Sequence, residues 1–180
     1  MSEFQGVALV ASPNMNDPRF AQTVVLLLRH NEEGALGVVL NRPIGDEQKV
    51  ALADMKDLGD TPLTFHFGGP VAGPVIVLQT RESRLGNTTG KMFTINKQEQ
   101  IQGVINNAKD CRLFVGHANW EPGQLEHELQ EGLWMTVPVS GDLLFGNHEE
   151  LWAEAVRSVG RNFYRDVLGI QGQPEDVSYN

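Results

Sequence analysis

The apolar runs at residues 23–30 and 35–41 constrain the fold more than any other feature of this sequence. Both are rich in Val and Leu, and a polar link that ends in Gly34 separates them. Such a link is typical of a β-hairpin, because Gly readily adopts the positive φ angle of a tight turn. Gly37 within the second run indicates a close backbone approach or a bulge. The pattern therefore predicts antiparallel pairing early in the chain.

Local patterns predict the remaining elements. Capping residues, followed by apolar residues at three- and four-residue steps, indicate four helices. Pro122 is expected to begin the third of these helices, and Gly160 is expected to end the fourth. The third helix is expected to present Glu126, Glu128 and Glu131 on its outer side. Helices are predicted after Asp46, at 97–109, at 122–131 and after Asn147; strands are predicted at 6–11, 61–67, 75–79, 92–95, 111–118 and 133–137, and residues 81–90 are predicted as a loop.

These elements predict a single α+β domain over residues 1–180 with a mainly antiparallel sheet. Strands outnumber helices, and this favours α+β over a doubly wound parallel sheet. The core is expected at about residues 5–160, and a loosely ordered tail at about residues 168–180. His66 alternates with two Phe residues on its strand and is therefore expected to face solvent.

Composition limits the classes of function. The 180 residues are 41% hydrophobic and carry a formal net charge of −9, and the Lys and Arg residues are scattered. An acidic surface repels phosphate backbones, so direct DNA binding is not expected. Cys111 is the single cysteine, which excludes an intramolecular disulfide and a Cys-rich zinc site. The sequence has no signal peptide and no apolar run long enough to span a bilayer, so we expect a cytoplasmic protein that does not enter the membrane.

Tests for known catalytic and cofactor motifs are negative. The stretch at residues 86–92 has the wrong spacing for a phosphate-binding loop, and no G-x-S-x-G or H-E-x-x-H sequence is present. The sequence alone does not exclude a Ser-His-Asp triad, because the three residues of a triad come together only in the folded protein. No catalytic residue, cofactor or metal site is therefore predicted.

Polar residues at strand ends and turns are the candidate ligand-binding residues, since function is often located in such loops. Each candidate also has a local structural explanation: Asn31 is a typical turn residue, and Arg42 is a typical charged surface residue. Trp120 is predicted to be buried where strand 111–118 meets the next helix, with Leu125 and Leu129 beneath it. The candidate residues are His30, Asn31, Asn41, Arg42, His117, Trp120 and Gln124.

The order and spacing of several short motifs over about residues 5–160 resemble the AlgH/YqgE family. The motifs are Asp17-Pro18-Arg19-Phe20, His30-Asn31, Gly34-Ala35-Leu36-Gly37, Asn41-Arg42-Pro43, Gly68-Gly69-Pro70, Gly116-His117-Ala118 with Trp120, Gly123-Gln124-Leu125-Glu126, Trp134 and the segment 138–145.

The resemblance implies a small bacterial cytosolic protein with a bifurcated sheet curled into a pseudo-barrel, flanked by about four helices. Some members of the family carry a transcriptional-regulator label connected with alginate synthesis. Many members have Arg-Gly-Phe and then His after the Gly-Gly-Pro turn, whereas residues 73–79 here contain neither Arg nor His. Position 119, usually Gly or Ser, is Asn. No catalytic residues are implied.

Two functional hypotheses follow. The first is a non-enzymatic regulatory or protein-interaction domain whose acidic helix after Trp120 meets a basic, unidentified protein partner. The alternative is a binder of small anionic molecules, or a weak hydrolase, with His30, His117 and Arg42 around an anionic group. We expect a monomer or a weak homo-oligomer.

Overall fold

The computed structural model describes residues 7–44, 64–82, 88–95 and 111–168. Within them the chain forms nine strands in two sheets and three helices. The strands are β1 Val7–Ala11, β2 Val24–Asn31, β3 Gly34–Val39, β4 Thr64–Phe67, β5 Val75–Glu82, β6 Thr88–Ile95, β7 Cys111–Val115, β8 Ala118–Trp120 and β9 Trp134–Pro138; the helices are α1 Gln124–Gln130, α2 Gly141–Phe145 and α3 Leu151–Leu168.

The first sheet has the strand order β8-β3-β2-β1-β9, and all of its pairs are antiparallel. The hairpin of β2 and β3 is confirmed, and Gly34 has a φ of 113° in its turn. The close approach at Gly37 is also confirmed. A Cβ placed there would lie 2.7 Å from Val25 Cγ1 and 2.9 Å from the Leu26 carbonyl oxygen.

The second sheet has the order β4-β7-β5-β6, with β4 and β7 parallel and the other pairs antiparallel. The loop predicted at residues 81–90 is wrong at both ends. Strand β5 continues to Glu82, and β6 begins at Thr88 and pairs with it. The polar sequence of this stretch is typical of a loop, and it does not indicate a strand pairing that depends on backbone hydrogen bonds.

The five-stranded sheet is covered on both faces, which explains why β1, β2 and β3 are apolar almost throughout. One face packs against the second sheet and helices α2 and α3. The opposite face packs against α1 and the aromatic side chains beside it. The first cluster includes Val10, Leu26, Val38, Phe114, Leu144 and Leu151; the second includes Leu9, Val25, Leu27, Trp120, Leu125 and Trp134.

The predicted strand 111–118 is in fact two strands in different sheets. The chain leaves the second sheet at Gly116, where φ is 73°, and joins the first sheet as β8. A Cβ at Gly116 would lie 2.4 Å from the Gly69 carbonyl oxygen, so the two segments can cross there only at glycine. The sheet pattern therefore branches at this position.

The pseudo-barrel expectation needs correction, because the strand orders of the two sheets are open rather than closed. Strands β8 and β9 are the opposite edges of the first sheet within the described residues. Four strand spacings would separate these edges by roughly 19 Å in a flat sheet. The rings of Trp120 on β8 and Trp134 on β9 are nevertheless only 6.0 Å apart, so the sheet is strongly curved.

The four flanking helices are not confirmed as predicted. The helices expected after Asp46 and at 97–109 lie outside the described residues. The third begins at Gln124 rather than Pro122, and the fourth passes through Gly160 to Leu168. One Gly within a helix costs only about 1 kcal/mol, which tertiary packing outweighs. The short helix α2 was not predicted.

The prediction that His66 faces solvent is wrong. Its relative exposure is 1%, and its ring lies 5.4 Å from the ring of Phe114 and 6.0 Å from that of His148. Phe65 on the opposite face is also buried. Alternation therefore failed to indicate the solvent side, because both faces of β4 are covered at this position.

Candidate functional site

The seven predicted ligand-binding residues belong to three groups. Asn41 and Arg42 support the loop before β2, and His117 lies at the branch between the sheets. The third group lies at α1 and the hairpin turn beside it. His30 on β2 contacts Glu126 of α1, and Trp120 on β8 and Gln124 on α1 contact Glu128. Asn31 at the end of β2 accepts a hydrogen bond from the Glu33 amide within the hairpin turn at 3.0 Å.

Arg42 and Asn41 hold the loop at residues 17–23 in place. Arg42 donates hydrogen bonds to the carbonyl oxygens of Pro18, Arg19 and Ala21 at 2.5–3.2 Å. Asn41 accepts from the Val24 amide and donates to the Gln22 carbonyl, both at 2.9 Å. Burial lowers the pKa of Arg42 from its usual value. These contacts give both side chains a structural role.

His117 is fixed mainly through its backbone. Its N–H and carbonyl pair with those of Val71 at 2.9 and 3.0 Å. The half-buried ring packs over Gly73, where a Cβ would lie 3.0 Å from Nδ1. His117 therefore covers the apolar segment that follows β4.

His30 and Arg42 do not share a site. The Asn41 side chain pairs with Val24 at the start of β2, whereas His30 lies near the end of that strand. Six residues of strand separate these two positions by roughly 20 Å. The anionic pocket expected around His30, His117 and Arg42 is therefore not assembled in this structure.

The turn that leads into α1 differs from the prediction. The Gln124 amide donates to the Glu121 carbonyl at 3.0 Å, and Gly123 has φ 77° and ψ −8°. These values fit a type II turn, in which Pro at the second position and Gly at the third are favoured. Pro122 therefore belongs to the turn, and the helix begins after it.

Glu128 is the centre of the polar network under α1. Its Oε2 accepts hydrogen bonds from the indole N–H groups of Trp120 at 2.9 Å and Trp134 at 2.7 Å. Its Oε1 accepts from Gln124 Nε2 at 2.8 Å. Helical periodicity predicted Glu128 on the outer side of the helix and did not indicate this role. The available signal was the pair of Trp residues, since buried indoles need a hydrogen-bond acceptor.

A second contact joins α1 to β2. His30 Nε2 lies 2.5 Å from Glu126 Oε1. The pKa of Glu126 is lowered, first by a hydrogen bond from its own backbone amide and further by His30. The Glu126 side chain stays 43% exposed, so its charge remains available at the surface.

Carboxylates dominate the surface around α1. The hairpin turn lies against the start of this region, since a Cβ at Gly34 would be 2.2 Å from the Trp120 carbonyl oxygen. No Lys or Arg occurs between Arg112 and Arg157. Two of the carboxylates contact His side chains: Glu126 contacts His30, and Glu131 lies 3.3 Å from His127. We call this surface the acidic face and define it by Glu32, Glu33, Glu121, Glu126 and Glu131.

The chemistry available at the acidic face is attraction of cations. Across the described ranges, no three His, Cys, Asp or Glu side chains are placed to hold a metal ion. Likewise, no helix in the described ranges is long and apolar enough to cross a membrane. Several separated carboxylates favour a cationic protein segment over a single small ion, because several charges can pair at once.

Comparison with known proteins places this geometry in a family. Residues 8–164 match the family model described as AlgH-like. A UPF0301 protein of Chlorobaculum tepidum is 37% identical over 167 residues, covering 88% of each chain. A UPF0301 protein of Streptomyces coelicolor is 36% identical over 191 residues and covers 100% of this chain and 97% of its own.

A solved structure agrees with the fold. The solution structure of the AlgH protein from Pseudomonas aeruginosa superposes with a TM-score of 0.66 at 30% identity, covering 95% of this chain and 96% of the other. The motifs that carry the resemblance include residues with defined structural roles here, among them Arg42, Gly116 and Trp120. The chain therefore belongs to the AlgH-like family.

Proposed function

We propose that this protein is a non-enzymatic protein-interaction domain with a regulatory role, and that the acidic face binds a basic segment of a partner protein in the cytoplasm. The observation that carries the proposal is the anchoring of α1 by two of its own glutamates. Glu126 is held by His30, and Glu128 is held by two indoles. These contacts orient the helix so that its other charges face outward.

Charge supports a protein partner over DNA. The formal net charge of −9 opposes a phosphate backbone, whereas it attracts Lys- and Arg-rich segments over long distances. The regulator label of some family members then fits an action through protein contacts. The small-anion hypothesis is less favoured, because the structure separates His30 from Arg42.

Affinity capture with matched charge reversals tests the proposal. The double variant Glu121→Lys with Glu131→Lys removes charge from the acidic face at exposed positions. The control, Glu149→Lys with Glu154→Lys, makes the same change in net charge near the start of α3. Captured proteins are identified by mass spectrometry from a bacterial lysate at low and high salt.

We expect wild type and control to retain the same basic protein at low salt and to release it at high salt, because exposed charges are screened. The acidic-face variant should retain much less of it. Equal capture by the two variants, or no retained protein at low salt, would contradict the proposal.

A further inference from the structure

Helix α1 forms a short unit between two glycine turns. The turn at Gly123 precedes the helix, and Gly132, with φ 70°, follows it. At that end the Gly132 amide donates to the Leu129 carbonyl and the Leu133 amide to the Glu128 carbonyl, as in a Schellman motif. A Cβ at either glycine would meet no atom within 4 Å. The Cβ side of both glycines is therefore open, although the Gly34 turn packs against the residues just before Gly123.

The apolar contacts of α1 are too few to hold the helix firmly without its polar contacts. Leu125 is the buried residue of the helix, and Leu129 packs only partly against the same cluster. A helix of seven residues is marginal without tertiary support. Its position must therefore depend strongly on the polar contacts of Glu126 and Glu128.

Glu128 spans the open side of the curved sheet. Trp120 lies on edge strand β8 and Trp134 on the opposite edge strand β9, and both indoles donate to the same carboxylate oxygen. Both rings are 3% exposed. Phe20 lies 6.3 Å from the first ring and 5.7 Å from the second. The helix thus covers an aromatic cluster that joins the two edges.

We infer that α1 is a strap that Glu128 latches across the open side of the sheet, and that the strap opens without unfolding of β1–β3. Opening uncovers the indoles of Trp120 and Trp134. The strands stay folded because their own pairing and the cluster on the other face do not involve α1.

The latch also suggests how a partner would act. Glu128 lies beside the acidic face, and a guanidinium group that pairs with it competes with the indole N–H donors. The freed indoles offer faces that attract the same cation. This trigger rests on the proposed function, whereas the latch itself does not.

Hydrogen exchange measured by mass spectrometry on the full chain, without any partner, tests the latch. The variants are Glu128→Ala and the control Glu121→Ala, which removes an exposed carboxylate from the same segment. In the wild type, peptides covering residues 121–133 should exchange faster than those of β2 and β3. In Glu128→Ala, exchange at 121–133 should rise at least about tenfold, because hydrogen bonds to a charged group are lost. The control should resemble the wild type.

Acrylamide quenching of tryptophan fluorescence provides an independent reading, and Glu128→Ala should show increased quenching with an unchanged far-UV spectrum. Two results would overturn the inference. One is exchange of residues 121–133 at the same rate as β2 and β3 in every variant, since the strap would then open only with the whole domain. The other is an equal increase in Glu121→Ala, since Glu128 would then not be the latch.

Discussion

Replacement of Trp120 by Ala should destabilise the domain strongly. The side chain is 3% exposed, and its ring lies 6.3 Å from Phe20 and 6.0 Å from Trp134. Removal of a buried Trp side chain typically costs about 3–5 kcal/mol of unfolding free energy. For a domain of this size each kcal/mol lowers Tm by about 2–4 °C, so Tm should fall by about 6–20 °C.

Two further variants separate the causes. Trp120→Phe keeps an aromatic ring but removes the indole donor to Glu128, so the loss should be about 1.5–3 kcal/mol, smaller than that for Ala. His117→Ala should change Tm by less than about 2 °C, because the backbone bonds to Val71 remain. Thermal unfolding followed by circular dichroism measures all three variants. If the Tm of Trp120→Ala lies within about 2 °C of the wild-type value, Trp120 does not anchor the junction between β8 and α1.

Two glycines and one carboxylate provide the remaining tests. Gly160→Ala should raise the free energy of unfolding by about 0.5–1 kcal/mol, because a Cβ at this helical position meets no neighbour. Gly37→Ala should lower the free energy of unfolding, because its Cβ would collide with strand β2. Urea unfolding measures both variants. Glu126 has a folded pKa below the 4.5 of a free glutamate, so its stabilisation is present above that pH and is lost as pH falls through the folded value. The Tm of Glu126→Gln should therefore fall less than the Tm of the wild type between pH 7 and pH 3. An equal fall in both proteins would contradict a stabilising role for the Glu126 carboxylate.

Local sequence signals predicted the hairpin and its glycines. Gly34 and Gly37 were identified because positive φ angles and close backbone approaches exclude other residues. The burial of Trp120 followed from its size and its place between a strand and a helix. These features depend on neighbouring residues or on one side chain, so the sequence carries the information directly.

Features that depend on distant partners were not predictable in this way. The change of sheet at Gly116 arises from a crossing with the segment around Gly69, which is far away in sequence. His66 looked solvent-facing because alternation cannot show that a second layer covers the strand. Glu128 looked like an outer residue because its indole partners come from the two edges of a curved sheet.

The candidate site was predicted only in part. His30, Trp120 and Gln124 were named as candidates, and the structure groups them around α1. Arg42 was named as a ligand residue, but its guanidinium holds three loop carbonyls. A charged residue at a strand end has the same sequence pattern in both roles, so only its contacts distinguish them.

Zero-length cross-linking of the protein to its captured partner identifies the residues that form the interface. A carbodiimide joins carboxylates to Lys amines in contact, and mass spectrometry identifies the linked residues. We expect linkages from the acidic face, above all from Glu121 and Glu131, to Lys residues of the partner. Linkages confined to the start of α3, at Glu150 just before the helix or at Glu154 in its first turn, would contradict it.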